Sequence, residues 1–174
     1  MAIVYLCLGS NIDDRIGFIQ QAVSLLGAEG TNLKVIRTSS FYETQPWLEK
    51  DTDWYVNAVI EAKTTLTPEE LLGLGNSIEA KLGRVRETEP ENGDRRPIDI
   101  DILFYGNEII NNPPKLIVPH ARLHKRAFVL VPFLEVNSEF VHPVLKKSIK
   151  QIYNELETPE MVYLYGTRPN EKDA

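Results

Sequence analysis

Cysteine occurs once, at Cys7, so the chain cannot build a disulfide framework. Its place in the apolar run of residues 3–8 predicts a buried, unreactive thiol in a reducing cytoplasm. No apolar stretch approaches the ~20 residues that span a bilayer, and the first residues carry neither a basic leader nor a cleavage site. A cytoplasmic protein without a membrane segment is therefore expected. Basic residues are in deficit: 19 Lys and Arg against 25 Asp and Glu leave a net charge of −6. That balance argues against a general nucleic-acid or membrane surface and gives any local basic cluster a local purpose. Histidine is scarce as well, and His120, His124 and His142 lack the spacing of a zinc site. There is no Gly-x-x-x-x-Gly-Lys-Ser/Thr loop, and Gly73-Leu74-Gly75 falls inside a helical pattern rather than a dinucleotide turn. Any nucleotide must be held by side chains and other loops.

What is present fits one domain over residues 1–166 with a loose tail over 167–174, long enough to bury roughly 70% of its unfolded surface. Residues 3–8 read as a buried strand ending at Gly9-Ser10-Asn11, after which Asp13 or Asp14 caps a helix with the stripe Ile16, Ile19, Val23 and Leu26. The β-branched and aromatic residues of 34–44 predict one strand, and 54–63 a second. Thr67-Pro68-Glu69-Glu70 is a capping box with proline at the first helical position, opening a helix that carries Leu71, Leu74, Ile78 and Leu82. A polar stretch over 84–96 then leads into a strand ending at Tyr105. Helices over 127–136 and 146–157 and a short strand over 161–165 complete the chain. Strand, helix, strand, strand, helix, strand is the order of an α+β, ferredoxin-like β-α-β-β-α-β core, an antiparallel sheet with helices on one face and C-terminal helices added. The second face needs cover or a ligand.

The run Arg96-Pro-Ile-Asp-Ile-Asp-Ile-Leu-Phe104 places two carboxylates in an otherwise buried strand. Alternation puts Asp99 and Asp101 on one face and Ile98, Ile100 and Ile102 on the other, with the acids roughly 7 Å apart at ~3.3 Å per residue. Like charges so placed need a cation between them, a shared proton, or open water. Mg²⁺ is a hard cation suited to one or two carboxylates plus substrate phosphates. Arg84 and Arg86 before this strand, Arg95 and Arg96 at its entry, and Arg122, Lys125 and Arg126 after it suit a polyphosphate. Glu87, Glu89, Glu91 and Asp94 offer the same arginines ordinary surface partners. His120, after Val118-Pro119, is either a phosphate donor or proton carrier, or a structural histidine. Phe41, Tyr42, Trp47, Trp54, Tyr55 and Phe128, with Asn57 on the same strand face as Tyr55, suit either core packing or a flat heterocycle held by stacking and edge hydrogen bonds.

Six motifs in order carry a resemblance over residues 3–143. They are Gly9-Ser10-Asn11, Ser39-Ser40-Phe41-Tyr42-x-Thr44, Asn57, Glu79-x4-Arg84-x-Arg86, Arg96-x2-Asp99-x-Asp101-Ile102-Leu103, and Val118-Pro119-His120-x5-Arg126-x-Phe128. Together they resemble the 6-hydroxymethyl-7,8-dihydropterin pyrophosphokinases of folate biosynthesis. The resemblance implies transfer of pyrophosphate from ATP to the pterin hydroxymethyl oxygen, leaving AMP. It implies that Asp99 and Asp101 hold two Mg²⁺ ions across the triphosphate, with Asp99 also near the pterin. It further implies that Arg84, Arg86, Arg96, Arg126 and His120 contact phosphates and that Glu79 organises the nucleotide side. Tyr55 and Phe128 would sandwich the pterin, while Asn57, Thr44 and the main chain near Trp47 would read its edge. The partners implied are ATP and the pterin, with no nucleic acid or membrane; contact with a neighbouring folate enzyme is left open. Gln45-Pro46-Trp47-Leu48 departs from the family's usual loop, Ala121 replaces an aromatic common there, and residues 87–94 lack a tryptophan common in that loop. Such loops close over ATP in the family, so residues 87–94 are expected to close here. Two other readings remain from the residues alone: a different Mg²⁺-dependent nucleotidyl or glycosyl transferase, and a ferredoxin-like RNA-binding module.

Overall fold

A computed structural model describes residues 1–45, 54–85 and 96–169. Strand β1, Ala2–Ser10, is buried from Val4 onward because it runs through the middle of a six-stranded sheet. Helix α1, Arg15–Leu26, starts where the Gly17 N–H donates to the Asp14 carboxylate at 3.0 Å. After β2 (Leu33–Thr38), β3 (Tyr42–Thr44) and β4 (Tyr55–Thr64), α2 (Pro68–Lys81) opens on the reciprocal Thr67/Glu70 capping box. Strand β5 spans Asp99–Tyr105, and β6 (Ile110–Asn112) pairs with β7 (Leu116–Val118) in a separate hairpin. Helices α3 (Ala127–Asn137) and α4 (Ile149–Asn154) and strand β8 (Val162–Leu164) follow.

The main sheet has the order β5-β1-β4-β3-β8, with β2 also on β4, and every pairing is antiparallel. The expected α+β class with an antiparallel sheet is what forms. Residues 34–44 are not one strand. The Ser39 hydroxyl accepts the Val59 N–H and donates to the Ser40 carbonyl, and the Ser39 N–H donates to the Val59 carbonyl, so the regular ladder is interrupted between β2 and β3, which both run antiparallel to β4. The last helix is also shorter than residues 146–157, because Lys146 has φ +58°, in the left-handed region, and Ser148 supplies the helix cap.

One face of the sheet presents Val4, Leu6, Leu8, Ile100 and Ile102 to Ile19, Ala22 and Leu26 of α1 and Leu71 and Ile78 of α2. The opposite face presents Tyr5, Cys7, Val59 and Phe104 to Val129, Leu130, Phe133 and Val136 of α3 and to Ile149 and Ile152 of α4. Phe133 is fully buried, with its ring 4.6 Å from Tyr5 and 5.7 Å from Phe104 between centroids. Phe133→Ala is expected to cost about 3–5 kcal/mol of stability, as large-to-small changes in a packed aromatic cluster do, read as a lower urea midpoint. Among the described residues no helix is long and apolar enough to cross a membrane.

Candidate active site

The second face is only partly covered. Asp101 pairs across the sheet with Cys7 and Asp99 with Gly9, while Ile98, Ile100 and Ile102 lie in the core on the α1/α2 side. Both carboxylates therefore rise from the α3 side of the sheet, as alternation requires. Asp99 is partly exposed and accepts from Arg84 at 2.7 Å, while the Arg96 guanidinium stands 3.6 Å from its other oxygen. Asp101 is half-buried as well. Burial first, then the charges of Asp99 and Glu79, push its carboxyl up to about 7.

Arg84 is set deep in the protein. Its guanidinium joins the buried carboxylate of Glu79 to Asp99, and Glu79 also accepts the Ile100 N–H at 3.0 Å. The capped helix α2 carries Glu79, so α2, Arg84 and the first residues of β5 are fastened around Asp99. In this structure Arg84 and Glu79 thus act on the position of Asp99. Arg96 is fixed through its backbone: its N–H donates to the Asn11 side chain at 2.6 Å, and its carbonyl accepts the Asn11 N–H at 3.1 Å.

His120 is anchored by its own N–H to the Leu103 carbonyl at 3.0 Å, which brings it beside β5. Its Nδ1 accepts from the Arg122 N–H at 3.3 Å, leaving Nε2 as the proton-bearing nitrogen of the neutral ring. Burial, followed by the charge of Arg126, moves this histidine's titration down, so a neutral donor is favoured. Arg126 acts electrostatically on Asp101 and His120, and its guanidinium lies 5.4 Å from the Phe128 ring centre.

Across the sheet from Asp99, the pairings run Asp99 to Gly9, Gly9 to Asn57 and Asn57 to Tyr42. Strands about 4.8 Å apart put Asn57 roughly 10 Å from Asp99 at the backbone. Only a glycine stands between them. A Cβ at Gly9 would come within 2.6 Å of the Asn57 side-chain oxygen, so its bare backbone is what lets the amide lie there. Asn57 is buried and donates to the Thr44 hydroxyl at 3.4 Å, and Tyr55 shares its strand face. Tyr42 in the same row is tied to Glu135 of α3, which also accepts the Ser40 N–H.

The described candidate residues therefore assemble on one end of one sheet face: Asp99, Asp101, Arg96, His120 and Arg126 toward β5, Asn57, Thr44 and Tyr55 toward β3 and β4. Phe128 joins them from the start of α3. Trp47, Arg86 and residues 87–94 lie outside the described residues. The sequence alone does not reveal what Gly9 and Asn11 do, although both lie in the Gly9-Ser10-Asn11 run at the end of β1. Among the described residues no group of three or more His, Cys, Asp or Glu is poised around one point. A pair of aspartates fits Mg²⁺, which fills its remaining positions with water and phosphate oxygens.

A proton on Asp101 competes with such an ion. Its folded-state titration near 7 lies above the ordinary 3.8, so the protonated acid contributes stability below about pH 4 that is lost as pH rises through 7. Mg²⁺ binding in the presence of a nucleotide triphosphate is expected to weaken below pH 7, by at most about tenfold per pH unit, with proton release detectable by calorimetry in two buffers. Affinity unchanged between pH 6 and 8 would remove Asp101 as a ligand.

The family model described as 7,8-dihydro-6-hydroxymethylpterin-pyrophosphokinase matches residues 5–138. The 2-amino-4-hydroxy-6-hydroxymethyldihydropteridine pyrophosphokinase of Methylorubrum extorquens is 42% identical over 141 residues, covering 81% of this chain and 86% of that protein. The protein of the same name from Aquifex aeolicus is 40% identical over 152 residues, covering 87% and 90%. The folic acid synthesis protein fol1 of Pneumocystis carinii is 40% identical over 169 residues, covering 95% of this chain, which spans only 22% of that longer protein. In fold, the chain is similar to wild-type Plasmodium falciparum HPPK-DHPS, with a TM-score of 0.67 at 18% identity over 89% of this chain and 43% of that one. With the family model spanning most of the chain and relatives at this identity, the chain belongs to the 7,8-dihydro-6-hydroxymethylpterin-pyrophosphokinase family.

Proposed function

We propose that the protein is a Mg²⁺-dependent enzyme of folate synthesis that transfers diphosphate from ATP to the hydroxymethyl group of 6-hydroxymethyl-7,8-dihydropterin, giving AMP and the pterin diphosphate. The observation that carries this reading is the row Asp99–Gly9–Asn57, which, with Asp101 two residues along β5, sets a carboxylate pair and a buried amide on one sheet face around a floor without a side chain. Family membership supplies the identity of the heterocycle.

Tyr55 and Phe128 bracket the pterin ring, while Asn57 and Thr44, with the main chain at Trp47, read its edge. Arg86, Arg96, Arg126 and the Nε2–H of His120 take triphosphate oxygens. Arg84 and Glu79 hold Asp99 in place. Two Mg²⁺ ions held by Asp99 and Asp101 would offset charge on the attacking and leaving oxygens. The hydroxymethyl oxygen attacks the β-phosphorus, the bond from that phosphorus to the α,β-bridging oxygen breaks, and AMP leaves with that oxygen. The hydroxyl proton passes to Asp99 or to water, and no strong protein base is required. The rest is positioning and charge, as phosphoryl-type transfer requires. The single buried thiol agrees with work in the cytoplasm.

Product analysis tests the reaction. Incubated with ATP, Mg²⁺ and the pterin, the protein should form AMP and pterin diphosphate in equal amounts. ADP, or no turnover with the pterin, would overturn the reading, and tight RNA binding that survives Asp99→Ala would favour the RNA-binding alternative.

A further inference from the structure

The family match ends at residue 138, yet the last described stretch, residues 160–168, touches the supports of the heterocycle slot on both sides. Helix α3 begins without a side-chain cap of its own, and the Phe128 N–H is satisfied instead by the Glu160 carboxylate at 2.9 Å. Strand β8 pairs with β3 in the register Tyr42–Leu164, Glu43–Tyr163 and Thr44–Val162, so the backbone that carries Thr44 is built onto this stretch.

Behind the sheet, on the α1 side, the same stretch closes on Glu43. This buried carboxylate lies 3.2 Å from Arg15 and 3.6 Å from Arg168, and it accepts the Gly166 N–H at 3.3 Å. Arg168 sits 4.7 Å over the ring of Trp54, which Tyr163 meets at 5.9 Å, and the Trp54 carbonyl accepts from Arg15 at 2.7 Å. Trp54 immediately precedes Tyr55. Thr167 and Arg168, assigned by sequence to a loose tail, are thus held by the Leu164 carbonyl and by Glu43.

We propose that residues 160–168 form a strap that sets the geometry of the pterin slot without touching the pterin. Glu160 fixes the backbone at Phe128, β8 fixes Thr44, and the Glu43–Arg168–Trp54 stack fixes the start of β4 at Tyr55. This rests on the assignment of Thr44, Tyr55 and Phe128 to the pterin. Glu160 and Arg168 are positioning residues, and their loss should act on the acceptor rather than on ATP.

The test is steady-state AMP formation by the full chain and by Glu160→Ala, Arg168→Ala and the double variant, with each substrate varied in turn. The double variant is expected to raise the pterin KM and the pterin Kd by about tenfold, the scale of one lost charged hydrogen bond, with the ATP KM within about twofold of wild type. Glu160→Gln keeps an oxygen acceptor for the Phe128 N–H and should restore most of the pterin affinity. An unchanged pterin KM in an active, folded double variant overturns the strap alone. So does an equal rise in both KM values accompanied by a lower Tm, since that marks a general loss of structure. A wild-type protein that forms no AMP overturns the pyrophosphokinase reading and the strap with it.

Discussion

Asp101→Asn is expected to abolish turnover and, in the same protein, to raise the stability of the metal-free fold above pH 7. The two effects have one cause. Ionising Asp101 in the folded state works against burial and the charges of Asp99 and Glu79. Asparagine is nearly the same size, carries no charge, and removes that cost, so Tm should rise at pH 8 and the gain should narrow as pH falls below 7. The same change removes half of the carboxylate platform, and with it the ion-dependent step. Asp99→Ala should also be inactive, but with the opposite sign in stability. Asp99 lies between Arg84 and Arg96, so its loss is expected to cost about 1–3 kcal/mol by taking a hydrogen-bonding partner from a buried guanidinium. Urea unfolding of both variants at pH 6 and 8, alongside AMP formation, separates the predictions. Activity retained by both variants would remove the aspartates from the reaction.

Glu79→Ala should be the most destabilising change near the site. Glu79 and Arg84 are buried together, and the same carboxylate satisfies the Ile100 N–H on β5. Removing one partner of a buried pair leaves the other charge in the interior, an expected loss of about 3–5 kcal/mol. Because the pair fastens Asp99, turnover of whatever remains folded should fall by about 10–100-fold, as when the support of a metal ligand is lost. Glu79→Gln keeps an oxygen for the Ile100 N–H while giving up the ion pair, so it should fall between wild type and Glu79→Ala in both measurements. A stable, fully active Glu79→Ala would show that Asp99 is positioned by other means.

Much of this arrangement is legible in the sequence because it depends on local rules. A period of two puts both aspartates on one face, and the Thr67/Glu70 box marks the start of α2 without reference to the rest of the chain. The composition of 34–44 reads as one strand, but the break is made by the Ser39 hydroxyl meeting a strand 20 residues away. In the sequence Arg84 reads either as a phosphate-binding group or as a surface partner of nearby carboxylates. Its burial depends on Asp99, 15 residues later, arriving beside Glu79 when β5 docks on α2. The floor at Gly9 exists only where β4 and β5 flank β1, and the cap that Glu160 places on α3 comes from 32 residues downstream. Each missed feature is a contact that tertiary structure creates.

The most direct test of the two-sided site is a crystal of the protein with Mn²⁺, a non-hydrolysable ATP analogue and 6-hydroxymethyl-7,8-dihydropterin, read by anomalous scattering. Two Mn²⁺ peaks are expected against the Asp99 and Asp101 carboxylates, with the heterocycle over Gly9 and its edge on Asn57 and Thr44. Metal bound away from both aspartates, or a pterin seated elsewhere, would contradict the two-sided site.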